Sequence, residues 1–243
     1  MKTRILTAVL ALLGATPVFA AGPADRTVEN ALDVLDDLAG TPEKRIPPAM
    51  LRDAAAVIIA PDVVKAGFIV AGNHGHGVLL VRQKGGWSDP VFVTLTGGGV
   101  GWQAGVQSTD LFLVIRNARS LERILRGAGK LTLGGDAAVT AGPIGREVSA
   151  ATDAQLKAEI LSYSRSRGLF AGVSLEGGTL LIDQVANDRF YGAYKVPVGD
   201  ILSGKVDAPK AAGTLRARLG DWSGDGLELL PPPAATIIPA KKQ

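Results

Sequence analysis

One run of alternation constrains this chain more than any other stretch. From Leu169 onward, Leu169, Ala171, Val173 and Leu175 fall on one side and Gly172, Ser174 and Glu176 on the other, the two-residue period of a half-buried strand. Gly177-Gly178 follows, the positive-φ pair of a tight turn, and residues 179–182 read as the returning strand, so the stretch predicts a β-hairpin. A related pattern occurs upstream. Gly101-Trp102-Gln103-Ala104-Gly105-Val106 parallels Gly168-Leu169-Phe170-Ala171-Gly172-Val173, and each precedes an apolar run, 111–115 and 180–182. Two such copies predict strands of similar build in one sheet, with glycines permitting close backbone approach.

Around that sheet the punctuation is regular. Residues 25–40 repeat apolar side chains at helical spacing (Val28, Ala31, Leu32, Leu35, Leu38), and Gly40 supplies the stop. Pro47-Pro48 breaks the chain before a short helix at 49–55; residues 57–60 and 67–71 read as strands. Gly72-Asn73-His74-Gly75-His76-Gly77 reads as a solvated turn, and Gly85-Gly86 as a second hairpin between 78–84 and 90–96. Residues 118–126 form a helix, 130–145 return to strand and turn, and 198–202 and 208–219 read as later helices. The fold class is α+β: a twisted, Gly-rich antiparallel sheet with flanking helices. Periodicity leaves open whether the sheet curls toward a barrel.

The ends of the chain read differently. Lys2 and Arg4 precede an apolar run at 5–13, and Val18-Phe19-Ala20 places small residues where a signal peptidase cuts, so 1–20 is expected to be a signal peptide and the protein to be exported to the periplasm or secreted. That apolar run is shorter than the roughly 20 residues a spanning helix needs. The formal charge of +3 falls to +1 without Lys2 and Arg4, which leaves no basic excess to support nucleic-acid binding. There is no cysteine, which removes disulfides, thiolate nucleophiles and cysteine-ligated metals. Residues 230–243 hold Pro231-Pro232-Pro233 and Lys241-Lys242 and read as an extended tail.

Catalytic chemistry finds no support in the residues. Ser174 does not sit in nucleophile-elbow spacing. Gly99-x-Gly101-x-x-Ala104 is followed by strand-like sequence, where a dinucleotide fingerprint must open a helix. His74 and His76 lie two residues apart with no third ligand type beside them, so neither a metal nor any other cofactor is expected. Guanidinium groups offer the sharper reading. Arg119, Arg123 and Arg126 recur at i, i+4 and i+7 of a helix whose other side is Ala118, Leu121, Ile124 and Leu125, and Arg116 stands just before it. Such a face above an apolar one suits phosphate headgroups, each basic residue contributing on the order of 1 kcal/mol near an anionic surface. Arg146 follows a Gly-Pro corner, and Tyr163, Arg165 and Arg167 alternate along one side of a strand, with Glu176 placed to complete a polar face.

The same stretches carry a family resemblance. Tyr163-Ser164-x-Ser166-x-Gly168-Leu169-Phe170-Ala171-Gly172-Val173-Ser174-Leu175-Glu176-Gly177 resembles the signature of the SYLF family, a lipid-binding domain related to the yeast actin-patch proteins. Lys65-Ala66-Gly67-Phe68, Gly86-Trp87-Ser88-x-Pro90, Gly101-x-Gln103-x-Gly105, Leu133-Gly134-x-Asp136, Ala141-Gly142-Pro143-x-Gly145-Arg146 and Tyr191-Gly192 look like further family blocks in family order. The resemblance implies a non-enzymatic lipid-binding domain over 51–192, preceded by a helix and linker at 21–50 and followed by a helical extension at 193–229 and the tail. Headgroup contact is then expected at Arg119, Arg123, Arg126, Arg146, Arg165 and Arg167, with an anionic lipid or membrane surface as partner. Relatives that touch membranes through an N-terminal amphipathic helix need a basic one. Here the polar face of the first helix carries Asp25, Glu29, Asp33, Asp36 and Asp37 against Arg26, so it is expected to pack on the sheet or on a partner. The alternative function is a protein-interaction module of the cell envelope, working through that acidic helix or the Pro-rich tail. Actin binding is not carried over to an exported chain.

Overall fold

The computed structural model describes residues 22–38, 46–67, 70–100, 105–126, 130–144, 158–166, 169–173, 175 and 177–224. Ten strands form one sheet: β1 (Ala56–Gly67), β2 (Val70–Gln83), β3 (Gly86–Trp87), β4 (Val91–Val100), β5 (Gly105–Ile115), β6 (Lys130–Thr132), β7 (Val139–Ala141), β8 (Ile160–Ser166), β9 (Leu169–Gly172) and β10 (Gly178–Ile182). The order is β6-β10-β4-β2-β1-β5-β8-β7, with β3 beside β2 and β9 beside β8. Every pairing is antiparallel except β7 with β8. Among the described residues six helices accompany the sheet: α1 (Pro23–Leu38), α2 (Pro48–Arg52), α3 (Ala118–Arg126), α4 (Gln184–Tyr191), α5 (Val198–Leu202) and α6 (Lys210–Ser223). The α+β class is therefore correct, as are the first helix, the 118–126 helix and the helix at 198–202.

The hairpin expected at Gly177-Gly178 does not form. β9 pairs with β8, Tyr163 opposite Gly172, whereas β10 pairs with β4 and β6 at the other side of the sheet. Gly177 does take positive φ (+74°), and its N–H donates to Leu133 O at 3.0 Å. The glycine pair thus ends a crossing segment. Periodicity alone cannot tell which strand a returning strand pairs with, and here Val173, Leu175 and Gly177 lie outside the strands.

That crossing explains the curvature. Between Gly172 and Gly178 the chain has six residue steps, a reach of about 21 Å at full extension. A flat sheet would separate β9 from β10 by six inter-strand gaps, about 29 Å at 4.8 Å each. The sheet curls into a half-barrel, and the described residues Val173, Leu175 and Gly177 form a strap between its two sides. Val173 N–H donates to Ser162 O at 3.1 Å, holding one end of the strap, while Gly177 holds the other. α3 runs from the end of β5 toward β6 and packs on β5, β6 and β10, closing one end of the trough.

The Gly72–Gly77 stretch, expected as a turn, lies within β2. Opposite it, β1 carries a bulge at Pro61-Asp62, where the register shifts by one residue against β5 and Asp62 adopts φ +51°. A Cβ on Gly77 would stand 2.6 Å from Ile59 O, and one on Gly75 would stand 2.7 Å from Val63 Cγ2. Those glycines answer a neighbouring bulge, where the chain needs backbone contact, instead of a reversal of direction.

The outer face of the sheet is covered by helices. Val28, Ala31, Val34 and Leu35 of α1 are fully buried, against β1, β2, α4 and α6. Phe112 of β5 meets Trp222 of α6 edge-on at 6.4 Å, and Trp87 Nε1–H donates to Ser223 Oγ at 3.1 Å. The helices at both chain ends share one continuous apolar core with the strands.

Candidate functional site

The α3 face is built as the residue spacing requires. Asn117 Oδ1 accepts the N–H of Ser120 at 2.8 Å, capping the helix. Leu121 and Ile124 turn into the closed end of the trough. Ser120 is buried between them and donates its hydroxyl to the Glu159 carboxylate. Opposite, Arg119 and Arg126 are exposed and, among the described residues, have no carboxylate partner. Lys130, at the start of β6, is exposed beside the same helix, and Glu122 is the exposed acid on it. Arg123 differs. It is half-buried, Nη1 donating to Asp136 O and lying 3.8 Å from Glu159 Oε2. Asp136 in turn accepts the Thr132 N–H at 2.8 Å; that bond, with the charges of Arg123 and Lys130, holds its carboxyl below the usual range.

Arg165 occupies another place. It stands on β8 opposite Asp110 of β5, five residues from Ile160, where β8 begins near α3. At about 3.3 Å per residue that puts it some 16 Å along the strand from the α3 end. Its Nε donates to Asp110 Oδ2 at 2.5 Å and its Nη1 reaches Asp37 of α1. Asp110 Oδ1 accepts the Asp62 N–H at 2.8 Å, and Asp62 Oδ2 accepts from Asn30 Nδ2 at 2.9 Å. The guanidinium therefore ties the first helix to the bulge in β1. Of the six arginines, Arg119 and Arg126 share α3, Arg123 is braced beneath them and Arg165 is committed elsewhere, while Arg146 and Arg167 lie outside the described residues, as does Glu176. The residues that sequence reasoning overlooked are Asp110, Asp62 and Asn30. The available signal was Asp110 itself, a lone carboxylate opening the apolar run of β5.

His74 and His76 are exposed on the outer face of β2, their rings perpendicular with centroids 5.1 Å apart. His76 Nδ1 lies 3.4 Å from Asp183 Oδ2, and Asp183 Oδ1 caps α4 through the Ala186 N–H at 2.9 Å. Among the described residues no group of three metal-ligating side chains converges. Nor is any described helix long and apolar enough to cross a membrane.

The α3 face and the Arg165–Asp110 pair lie inside residues 96–221, the span matched by the family model described as Ysc84, Las17-binding protein actin regulator. The chain belongs to the Ysc84 (SYLF) family. Relatives agree with that assignment: Protein YSC84 of Saccharomyces cerevisiae is 42% identical over 173 residues, 70% of this chain and 36% of that protein. LAS seventeen-binding protein 3 of the same yeast is 39% identical, covering 70% and 37%. SH3 domain-containing YSC84-like protein 1 of Xenopus laevis is 37% identical over 172 residues, 70% and 51%. The matched region of this SYLF chain thus spans between about a third and a half of those relatives. LAS seventeen-binding protein 3 is named for binding another protein. No solved structure matches the chain.

Proposed function

We propose that this SYLF protein is an exported, non-enzymatic lipid-binding protein whose α3 face contacts anionic headgroups. The observation that carries the reading is the pair Arg119 and Arg126: exposed, on one helix, beside Lys130, and without a carboxylate partner among the described residues. An arginine already paired has its charge compensated; an unpaired one gains a phosphate oxygen without losing a prior contact. Arg123 supports the face by fixing α3 against the 132–136 turn. Export follows from the charge and hydrophobicity pattern of residues 1–20. Liposome co-sedimentation tests the reading. Pelleting is expected with anionic vesicles, less with neutral ones, and it should fall as salt rises from low to physiological strength. Pelleting indifferent to lipid charge and to salt would overturn it.

A second reading, a protein-interaction module of the cell envelope, draws on relatives named for binding another protein. The acidic residues nearest the end of α1 do not favour that helix as the docking element, since Asp36 pairs with Arg218 at 3.0 Å and Asp37 with Arg165. The Pro-rich tail, outside the described residues, is then the segment to delete. Loss of a captured envelope protein on removal of 230–243, with vesicle binding intact, would favour this reading.

A further inference from the structure

The inner face of the half-barrel changes character along its length. Toward α3 it is solid: Ile58, Leu79, Leu113, Leu131 and Leu180 are all essentially inaccessible. Toward the opposite end, under the strap, lies a cavity of about 280 Å³. Strand register places Gln107, Lys65 and Asn73 side by side in one row across β5, β1 and β2 at its mouth. Behind that row Val63, Leu111, Val173 and Leu175 make the apolar part of the wall, and Ser164 adds a hydroxyl. The next position in the row is Gly97, where an added Cβ would stand 2.5 Å from Asn73 Oδ1; the missing side chain lets the carboxamide lie across the strand.

Two groups in this row lack partners. Asn73 Oδ1 is buried without a hydrogen bond among the described residues, which leaves an acceptor in need of a donor. Lys65 is exposed at the mouth and has no carboxylate partner among the described residues. A cation, an orphan acceptor and an apolar recess together specify a ligand with a negative charge, a neighbouring hydroxyl and a short hydrocarbon body. The volume limits its size. At roughly 30 Å³ for each water-sized group, the cavity accepts about nine such groups, fewer than a two-chain phospholipid presents.

We propose that this cavity binds a hydroxylated single-chain anionic amphiphile, its charge on Lys65, its hydroxyl donating to Asn73 Oδ1 and its chain over Val63, Leu111 and Leu175. The site is separate from the α3 face and does not depend on it. Isothermal titration of the full chain with 3-hydroxyhexanoate, whose size matches that cavity volume, tests the proposal. One-to-one binding is expected, at least tenfold weaker for hexanoate, which lacks the hydroxyl, and for 3-hydroxybutyrate, which is two methylenes shorter. Lys65→Met, at an exposed position, should weaken binding at least tenfold while leaving the thermal melt unchanged; Ser164→Phe should fill the recess and abolish it. The double variant Arg119→Ala/Arg126→Ala should bind 3-hydroxyhexanoate as the wild type does while losing vesicle affinity, so the two readings fail separately. Absence of saturable binding, equal binding of 3-hydroxybutyrate, or unchanged affinity in Lys65→Met would overturn the proposal.

Discussion

Arg165 and the pair Arg119/Arg126 are the same side chain under opposite conditions. Arg165 is mostly covered, with its Nε and Nη1 engaged by two carboxylates from different elements. Arg119 and Arg126 stand in solvent on a helix whose burial is carried by Leu121 and Ile124. The difference teaches that a guanidinium is defined by what lies across from it. Where an aspartate faces it from a paired strand, the arginine serves the fold. Where the helix is amphipathic and no carboxylate among the described residues pairs with the side chain, while Glu159 is engaged by Ser120 and Arg123, the arginine stays available.

Substitution should separate the two kinds sharply. Arg165→Ala leaves Asp110 about 13% exposed with its charge uncompensated and frees the end of α1. Breaking a buried pair destabilises by about 3–5 kcal/mol, and partial solvent access at Asp37 reduces that to about 2–3 kcal/mol here. Urea unfolding should report it as a lowered midpoint. An unchanged midpoint would make Arg165 a surface arginine after all and erase the contrast. The double variant Arg119→Ala/Arg126→Ala should do the reverse. Its unfolding free energy should stay within about 0.5 kcal/mol of wild type. Its affinity for anionic vesicles should drop by roughly 30-fold, from about 1 kcal/mol for each lost cation. Between these extremes lies Arg123→Ala. Its 3.8 Å pair with Glu159 is partly exposed, so the expected loss is under about 1 kcal/mol of stability, with vesicle affinity reduced less than in the double variant.

This comparison also measures how far the residues alone could be read. Helix α3 was legible because amphipathicity is local: its spacing gives both the buried and the cationic side. The first helix was legible for the same reason, and its acidic face foretold packing over membrane contact. What could not be read is long-range pairing. Nothing in the alternation of 169–175 distinguishes β8 from β10 as its neighbour, and Gly177-Gly178 satisfies a hairpin turn and a strap end equally well. Gly75 and Gly77 misled in a related way. Glycine serves both a turn and a close approach, and the deciding feature, the bulge at Asp62, lies more than ten residues away on another strand. Arg165 was read as ligand-facing because Asp110 and Asp37 reach it only through the sheet and the helix layer.

The smallest expected effect concerns the turn that braces Arg123. Asp136 has its carboxyl held down chiefly by the Thr132 N–H, with Arg123 and Lys130 adding to it, so the folded chain binds a proton there less readily than the unfolded one. Its contribution is therefore complete above about pH 3.9, the ordinary aspartate value, and is lost as pH falls through the lower folded value. Asp89 runs the other way. Burial raises its carboxyl, Arg216 at 3.2 Å only partly offsets this, and its unfavourable contribution grows as pH rises above the ordinary aspartate range. Asp136→Asn keeps an oxygen to accept from Thr132 but removes the titration. The slope of stability against pH below about 4 should become shallower in that variant, while at neutral pH Arg123 stays braced, since its partner there is the Asp136 backbone carbonyl. If the slope is unchanged, the 132–136 turn does not depend on the Asp136 carboxylate. The firm seat given to α3, and with it the contrast between a braced Arg123 and the open Arg119 and Arg126, would then rest on the Asp136 backbone carbonyl and Glu159, without the carboxylate.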